Sequence, residues 1–206
     1  MDRIPKIFVI NLPNRTDRLA SITAELESMG LLDKMEIVEG VIIHAHGTGT
    51  PGIAQAHARC LELAKERGYE MVMILEDDCK FLVDKERFKH EIETFLNTVP
   101  SFWNGLWFGS LNDTVPIRAF PNSHHAHGFN QDTATLIHAC FYDQLIETYY
   151  FCRDKYIETG DSKYNIDSWM SGAIPVYFSK PRLCGQADNY SDRTFQIMYG
   201  GHGRSL

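Results

Sequence analysis

Met71-Val72-Met73-Ile74-Leu75-Glu76-Asp77-Asp78-Cys79 sets five apolar residues directly before three adjacent carboxylates. A short apolar run without polar alternation reads as a strand buried on both faces, the state of a central strand in a parallel α/β sheet. In open α/β sheets, ligands bind outside the carboxyl ends of the strands. The three acids therefore stand where a ligand would sit. Their mutual repulsion costs stability unless a cation neutralises it, and hard oxygen ligands suit Mg²⁺ or Mn²⁺. The same triplet also fits the start of a solvated loop or the cap of a following helix. This stretch alone leaves both readings open.

Upstream, Lys6 to Leu12 is another continuous apolar run, hence a buried first strand, broken by Pro13-Asn14. Leu19, Ile22, Leu26 and Met29 then form a helical stripe closed by Gly30. Strand, turn and helix in that order bring Asn11, Arg15 and Arg18 to the strand's carboxyl end, where a helix N-terminus favours anions. Taken alone, both arginines also read as surface residues of an amphipathic helix. Ile37 to Ile43 is a weaker strand candidate. The glycine-rich stretch from His44 to Gly52 carries no full phosphate-binding fingerprint and reads as a flexible loop over a site. A helix over Ile53 to Arg67, ended by Gly68, puts His57 on its apolar face, the place of a satisfied core histidine.

Downstream of the acids, Asp84 caps a helix carrying Phe88, Ile92 and Phe95. Gly105 to Leu111 and Ala134 to Ala139 read as further strands, and Tyr142 to Cys152 as a helix whose aromatics read as core rather than as a sugar platform. Between them, Thr114 to Gln131 reads as irregular; its His124, His125 and His127 lack acidic or cysteine partners for a metal and fit a wet loop. Ile174 to Phe178 is a late strand. Just before it, Asp167 stands close to Trp169, as a helix cap or as a carboxylate base beside an acceptor hydroxyl.

Composition bounds the function. The 206 residues suit one sizeable domain, and no repeat or linker divides residues 1–206. An apolar share of 44% and a charged share of 23% are those of a soluble globular chain. A net charge of -7 argues against nucleic acid, whose phosphates need clustered Lys and Arg. The five scattered cysteines form no CxxC and fit reduced thiols in a cytoplasmic setting. No run is long and apolar enough for a membrane span, and the N-terminus lacks a signal-like core.

Several of these pieces occur in a shared order: Ile10-Asn11-Leu12-x-x-Arg15-x-Asp17-Arg18, then Gly52-x-x-x-x-His57, Ala64-x-x-x-Gly68 and Ile74-Leu75-Glu76-Asp77-Asp78. With Asn165-Ile166-Asp167 and the stretch from Gln186 to Asp192, this resembles the family 25 glycosyltransferases, the lipopolysaccharide-type and collagen-galactosyltransferase-like enzymes. The compact size also resembles glycosyltransferase modules of large algal viruses. The resemblance implies a GT-A fold, a Rossmann-like α/β/α sandwich with a mostly parallel central sheet. It implies a nucleotide-sugar donor carried by UDP, a divalent metal (Mn²⁺ or Mg²⁺), and a glycan or glycoprotein acceptor. Glu76-Asp77-Asp78 would be the DxD-type element, with Asp78 on the metal and Glu76 or Asp77 on ribose or sugar. Asn11, Leu12, Arg15, Arg18 and His57 would border the donor, and His202 would be a second metal ligand. Asp167 is the expected base of an inverting displacement. Two positions depart from the pattern: Ala56 precedes His57 where the family has Ser, and the first acid is Glu76 rather than Asp. The same acids would also serve a metal-dependent nucleotide-sugar hydrolase or nucleotidyltransferase, or an inactive nucleotide-sugar-binding module.

Overall fold

The computed structural model of the chain describes residues 3–109, 118–120, 123–126, 133–166, 169, 176–187, 189–191 and 196–198. The opening stretch is strand β3 (Met71–Glu76), and it lies in the middle of a mixed sheet. Strand β1 (Ile7–Asn11) pairs parallel with β3 on one side and with β2 (Met35–Glu39) on the other. On its second side β3 takes β8 (Ala134–His138) antiparallel, followed by β5 (Gly105–Trp107) and β9 (Val176–Ser179), which pair parallel with each other. In the six-strand order β2-β1-β3-β8-β5-β9, five strands point one way and β8 alone opposes them. Strands β7 (Ser123–Ala126) and β6 (Arg118–Phe120) extend the sheet beyond β9 as an antiparallel pair. Part of the stretch expected to be irregular is therefore strand.

The period of two in a strand sorts β3 between two layers. Met71, Met73 and Leu75 join a core with Ile22 and Leu26 of α1 (Thr16–Ser28) and Phe88, Ile92 and Phe95 of α3 (Lys85–Thr98). Val72 and Ile74 join the opposite core, with Ala54, Ala58 and Leu61 of α2 (Thr50–Glu66) and Leu145 and Tyr149 of α4 (Tyr142–Thr159). The molecule is an α/β/α sandwich with a mostly parallel central sheet, as expected. Each fully buried Ile or Leu in these layers contributes roughly 2 kcal/mol relative to an exposed one.

Three local expectations are corrected. Strand β2 ends at Glu39 rather than continuing to Ile43. The backbone at Val41 is instead pressed against α2: a Cβ on Gly52 would lie 1.9 Å from the Val41 carbonyl oxygen. The loop from His44 to Gly52 is short and tied down. Helix α2 already starts at Thr50, His46 adopts φ 50° in a turn closed by an Ala45–Thr48 bridge, and its Nε2 lies 3.0 Å from the Ile157 carbonyl oxygen. Finally, the triplet of acids leads into a further strand, β4 (Cys79–Phe81), which pairs antiparallel with β10 (Cys184–Gln186) from the far end of the sequence. Asp84 caps α3 as expected, accepting the Arg87 N–H at 2.8 Å. Tyr142, Tyr149 and Tyr156 of α4 are core.

Candidate functional site

The carboxyl ends of β1 and β3 meet at one edge of the sheet, where Ile10 lies opposite Glu76. One residue further along each chain, the Asn11 side chain donates to Asp77 Oδ2 at 2.8 Å. The first turn of α1 brings Arg18 to the same carboxylate: Nη1 donates to Asp77 Oδ1 at 2.6 Å and lies 3.7 Å from Asp78 Oδ2. The acids are thus divided among different partners. Glu76 Oε1 lies 3.4 Å from Nε2 of His57, which is fully buried in α2 with its ring 5.4 Å from that of Tyr149. His57 is a core residue, as its place on the apolar face implied, and it also reaches the acids.

Asp78 differs from its neighbours. Its backbone is held by the returning chain, since the Ala187 N–H donates to its carbonyl at 2.8 Å. Its Oδ1 is buried and has no hydrogen-bond partner among the described residues. Burial, and then the Glu76 charge beside it, push the Asp78 carboxyl from 3.8 up to about 7, against the opposing pull of Arg18. Asp77 is also raised by burial, opposed by Arg18 and Asn11. A carboxylate oxygen that is desolvated, unbonded and crowded by like charge is one that a cation would stabilise. By that test the acids fit a divalent ion at Asp78, whereas both Asp77 oxygens are already taken. Among the described residues no three His, Cys, Asp or Glu side chains converge on one ion position.

The other expected residues fall in two groups. Leu12 borders the edge, its carbonyl accepting the Arg15 N–H at 2.8 Å. Arg15 turns to Asp17, making two hydrogen bonds of 2.8 and 2.9 Å that hold the Asp17 carboxyl below its usual range. It sits at the α1 N-terminus, just before Thr16. Asp167 and His202 lie outside the described residues, as does His127. Sequence reasoning missed two supports: Glu25 of α1, whose Oε2 accepts the Phe81 N–H at 3.1 Å, and Thr133, whose carbonyl accepts the Glu76 N–H at 2.8 Å. Neither carries a local signal, because each acts through a backbone partner distant in sequence.

No protein-family description matches the chain, and no curated protein matches it in sequence. Among solved structures, it is similar to a mannose-1-phosphate geranyltransferase from Thermus thermophilus, at 10% identity and a TM-score of 0.51 over 86% of this chain and 73% of the other. A glycosyltransferase involved in glycosylation of the major capsid of PBCV-1 aligns at 12% identity and a TM-score of 0.45, over 75% and 68% of the two chains. A Drosophila galactosyltransferase in complex with manganese, UDP-Gal and xylobiose aligns at 12% identity and a TM-score of 0.42, over 94% and 76%. At such identities the likeness is one of architecture, and it rests on the first of the three: the chain has a GT-A-like α/β fold, with its acids at the sheet edge where that architecture leaves the strand ends open.

Proposed function

We propose that the chain, as a single domain, is a metal-dependent glycosyltransferase that moves a sugar from a UDP-sugar to a hydroxyl of a glycan or glycoprotein. The observation that carries this reading is the buried Asp78 Oδ1 at the strand-end edge, without a hydrogen bond among the described residues. Asp78, with His202 as second ligand, would hold Mn²⁺ or Mg²⁺, and the ion would supply neutralisation of charge on the leaving diphosphate. Asn11 and Arg18 fix Asp77 against the edge, and Glu76 beside it presents an oxygen to ribose or sugar hydroxyls. Leu12 and Arg15 complete the donor wall, and the buried His57 holds Glu76 from the core side. Arg18 and Arg15 place positive charge where the diphosphate develops negative charge. The acceptor oxygen attacks the anomeric carbon, the bond to the diphosphate breaks with its electron pair leaving on UDP, and Asp167 takes the acceptor proton. Configuration then inverts.

The test is calorimetric titration of UDP in Mn²⁺ and then in chelator, on the parent and on Asp78→Ala. Binding that needs both metal and Asp78 supports the reading; equal binding in chelator sinks it. Asp167→Asn is expected to abolish transfer and leave UDP affinity unchanged. Loss of UDP binding in that variant would remove Asp167 from the role of base. Sugar release at a rate indifferent to added glycans would replace transfer by hydrolysis.

A further inference from the structure

Three aromatic side chains cluster where α4 ends. Phe151 of α4, Tyr164 of the 3₁₀ turn Ser162–Tyr164, and Trp169 have ring centroids 5.0 to 5.9 Å apart. Tyr164 and Trp169 are stacked, with 26° between their planes, and Phe151 meets Trp169 at 49°. Phe151 is 41% exposed, although Tyr142, Tyr149 and Tyr156 of the same helix face the core. Tyr164 is backed by the Lys163 ammonium, 4.8 Å from its centroid, and Trp169 is half-buried with one side against the core, so Phe151 and the outer part of Trp169 carry the exposed ring surface.

The topology places this cluster on the edge that holds the acids. Strand β8 opposes β3, so β8 ends at the other edge, where the Ala139 N–H donates to Glu70, one residue before β3. Helix α4 starts there and its 18 residues run about 27 Å back across the sheet. Its last turn meets the loop that follows β2: His46 Nε2 lies 3.0 Å from the Ile157 carbonyl, and Thr48 Oγ1 donates to Tyr156 Oη at 3.1 Å. Tyr164 and Trp169 follow at that edge, the Trp169 N–H donating to the Asn165 carbonyl at 2.8 Å.

We propose that Phe151 and Trp169, backed by Tyr164, bind a pyranose ring of a glycan acceptor. This rests on the transferase reading and names the substrate class on its acceptor side. One face of a pyranose is a set of C–H bonds, apolar and slightly positive, which suits the negative face of an aromatic ring. Polar groups flank the rings: Lys163 lies over Tyr164 and pairs with Asp161 at 2.9 Å, and Lys155 pairs with Glu158 at 2.6 Å on the last turns of α4. Size argues for a sugar over a protein. Three partly covered rings offer at most about 300 Å², against about 800 Å² per partner in a stable protein interface.

Tryptophan emission tests this directly. The chain has three tryptophans; Trp103 and Trp107 are buried, so quenching by acrylamide reports Trp169. Cellobiose and methyl β-galactopyranoside, to about 100 mM given the weakness of single stacking contacts, are expected to reduce that quenching about twofold. Mannitol, an open-chain polyol with no ring face, is expected to leave it unchanged. Trp169→Phe identifies the reporter, and Phe151→Ser, an exposed change compatible with folding, is expected to weaken saccharide binding about tenfold. Quenching indifferent to every saccharide, or Phe151→Ser with unaltered saccharide affinity, overturns the proposal. So does protection that rises with protein concentration alone, because the rings would then cover a second copy of the chain. UDP titration on the same preparation separates the two readings. Saccharide protection without UDP binding sinks the transferase and leaves the platform; UDP binding without protection does the reverse.

Discussion

Between about pH 4 and 7 the Asp78 carboxyl keeps a proton in the folded chain that it gives up in the unfolded one, because burial and Glu76 raise it to about 7. The folded state binds the extra proton, so this group's contribution to stability is complete below the unfolded value and is lost as pH rises through about 7. In chelator, Asp78→Asn is therefore expected to melt above the parent at pH 8, by about 2 kcal/mol or roughly 6 °C, and to match it near pH 4. A melting series against pH checks this; a parallel pair of curves would contradict it. The same variant should lose metal-dependent UDP binding, a gain of stability at the expense of function. Arg18 and Arg15 make a contrasting pair. Arg18→Ala strands the Asp77 carboxylate, which is 6% exposed, and is expected to cost about 3 kcal/mol by urea denaturation. Arg15→Ala removes two hydrogen bonds to the exposed Asp17 carboxylate, which water can take over, and is expected to lower the denaturation midpoint less than Arg18→Ala does.

At the scale of elements, Gly52 is the tightest constraint. A methyl group there would need the space of the Val41 carbonyl, so Gly52→Ala must shift the start of α2 or the segment after β2. The expected loss is about 3 kcal/mol, read as a lower denaturation midpoint. Elements decided by local pattern were legible in the sequence: β1, α1, β3 and α3 follow from apolar runs, helical stripes, Gly30 and the Asp84 cap. What was not legible depends on partners far along the chain. A buried run such as Ala134 to His138 reads the same in either direction, so the antiparallel sense of β8 had no signature. Strands β4 and β10, three residues each, exist only because they pair with one another. The acid triplet was legible as a strand end, but its division was not: Asp77 bound by Arg18 and Asn11, Glu76 beside His57, and Asp78 with one oxygen left without a hydrogen bond among the described residues. The helical face of Arg18 predicts solvent as readily as Asp77.

For the whole molecule, the net charge of -7 works against an anionic ligand at long range. Binding then depends on the local arginines and the metal, and it should show as a gain in stability. With Mn²⁺ and UDP at ~100 times its Kd, the chain is expected to gain about 2.7 kcal/mol, or roughly 8 °C in Tm. A scan in chelator should show no such shift, and neither should Asp78→Ala with metal; a metal-independent shift would point to a different site.

The hydrogen bond from Ala187 to the Asp78 carbonyl, with β10 lying along β4, also sets an order of manufacture. More than a hundred residues are translated between the acids and the strand that holds them. A nascent chain that has folded β1, β3 and the helices around them still presents an unbraced carboxylate turn. Such a chain, halted after β9, is expected to be compact yet blind to UDP, so the capacity to recognise donor arrives late in synthesis and in a single step.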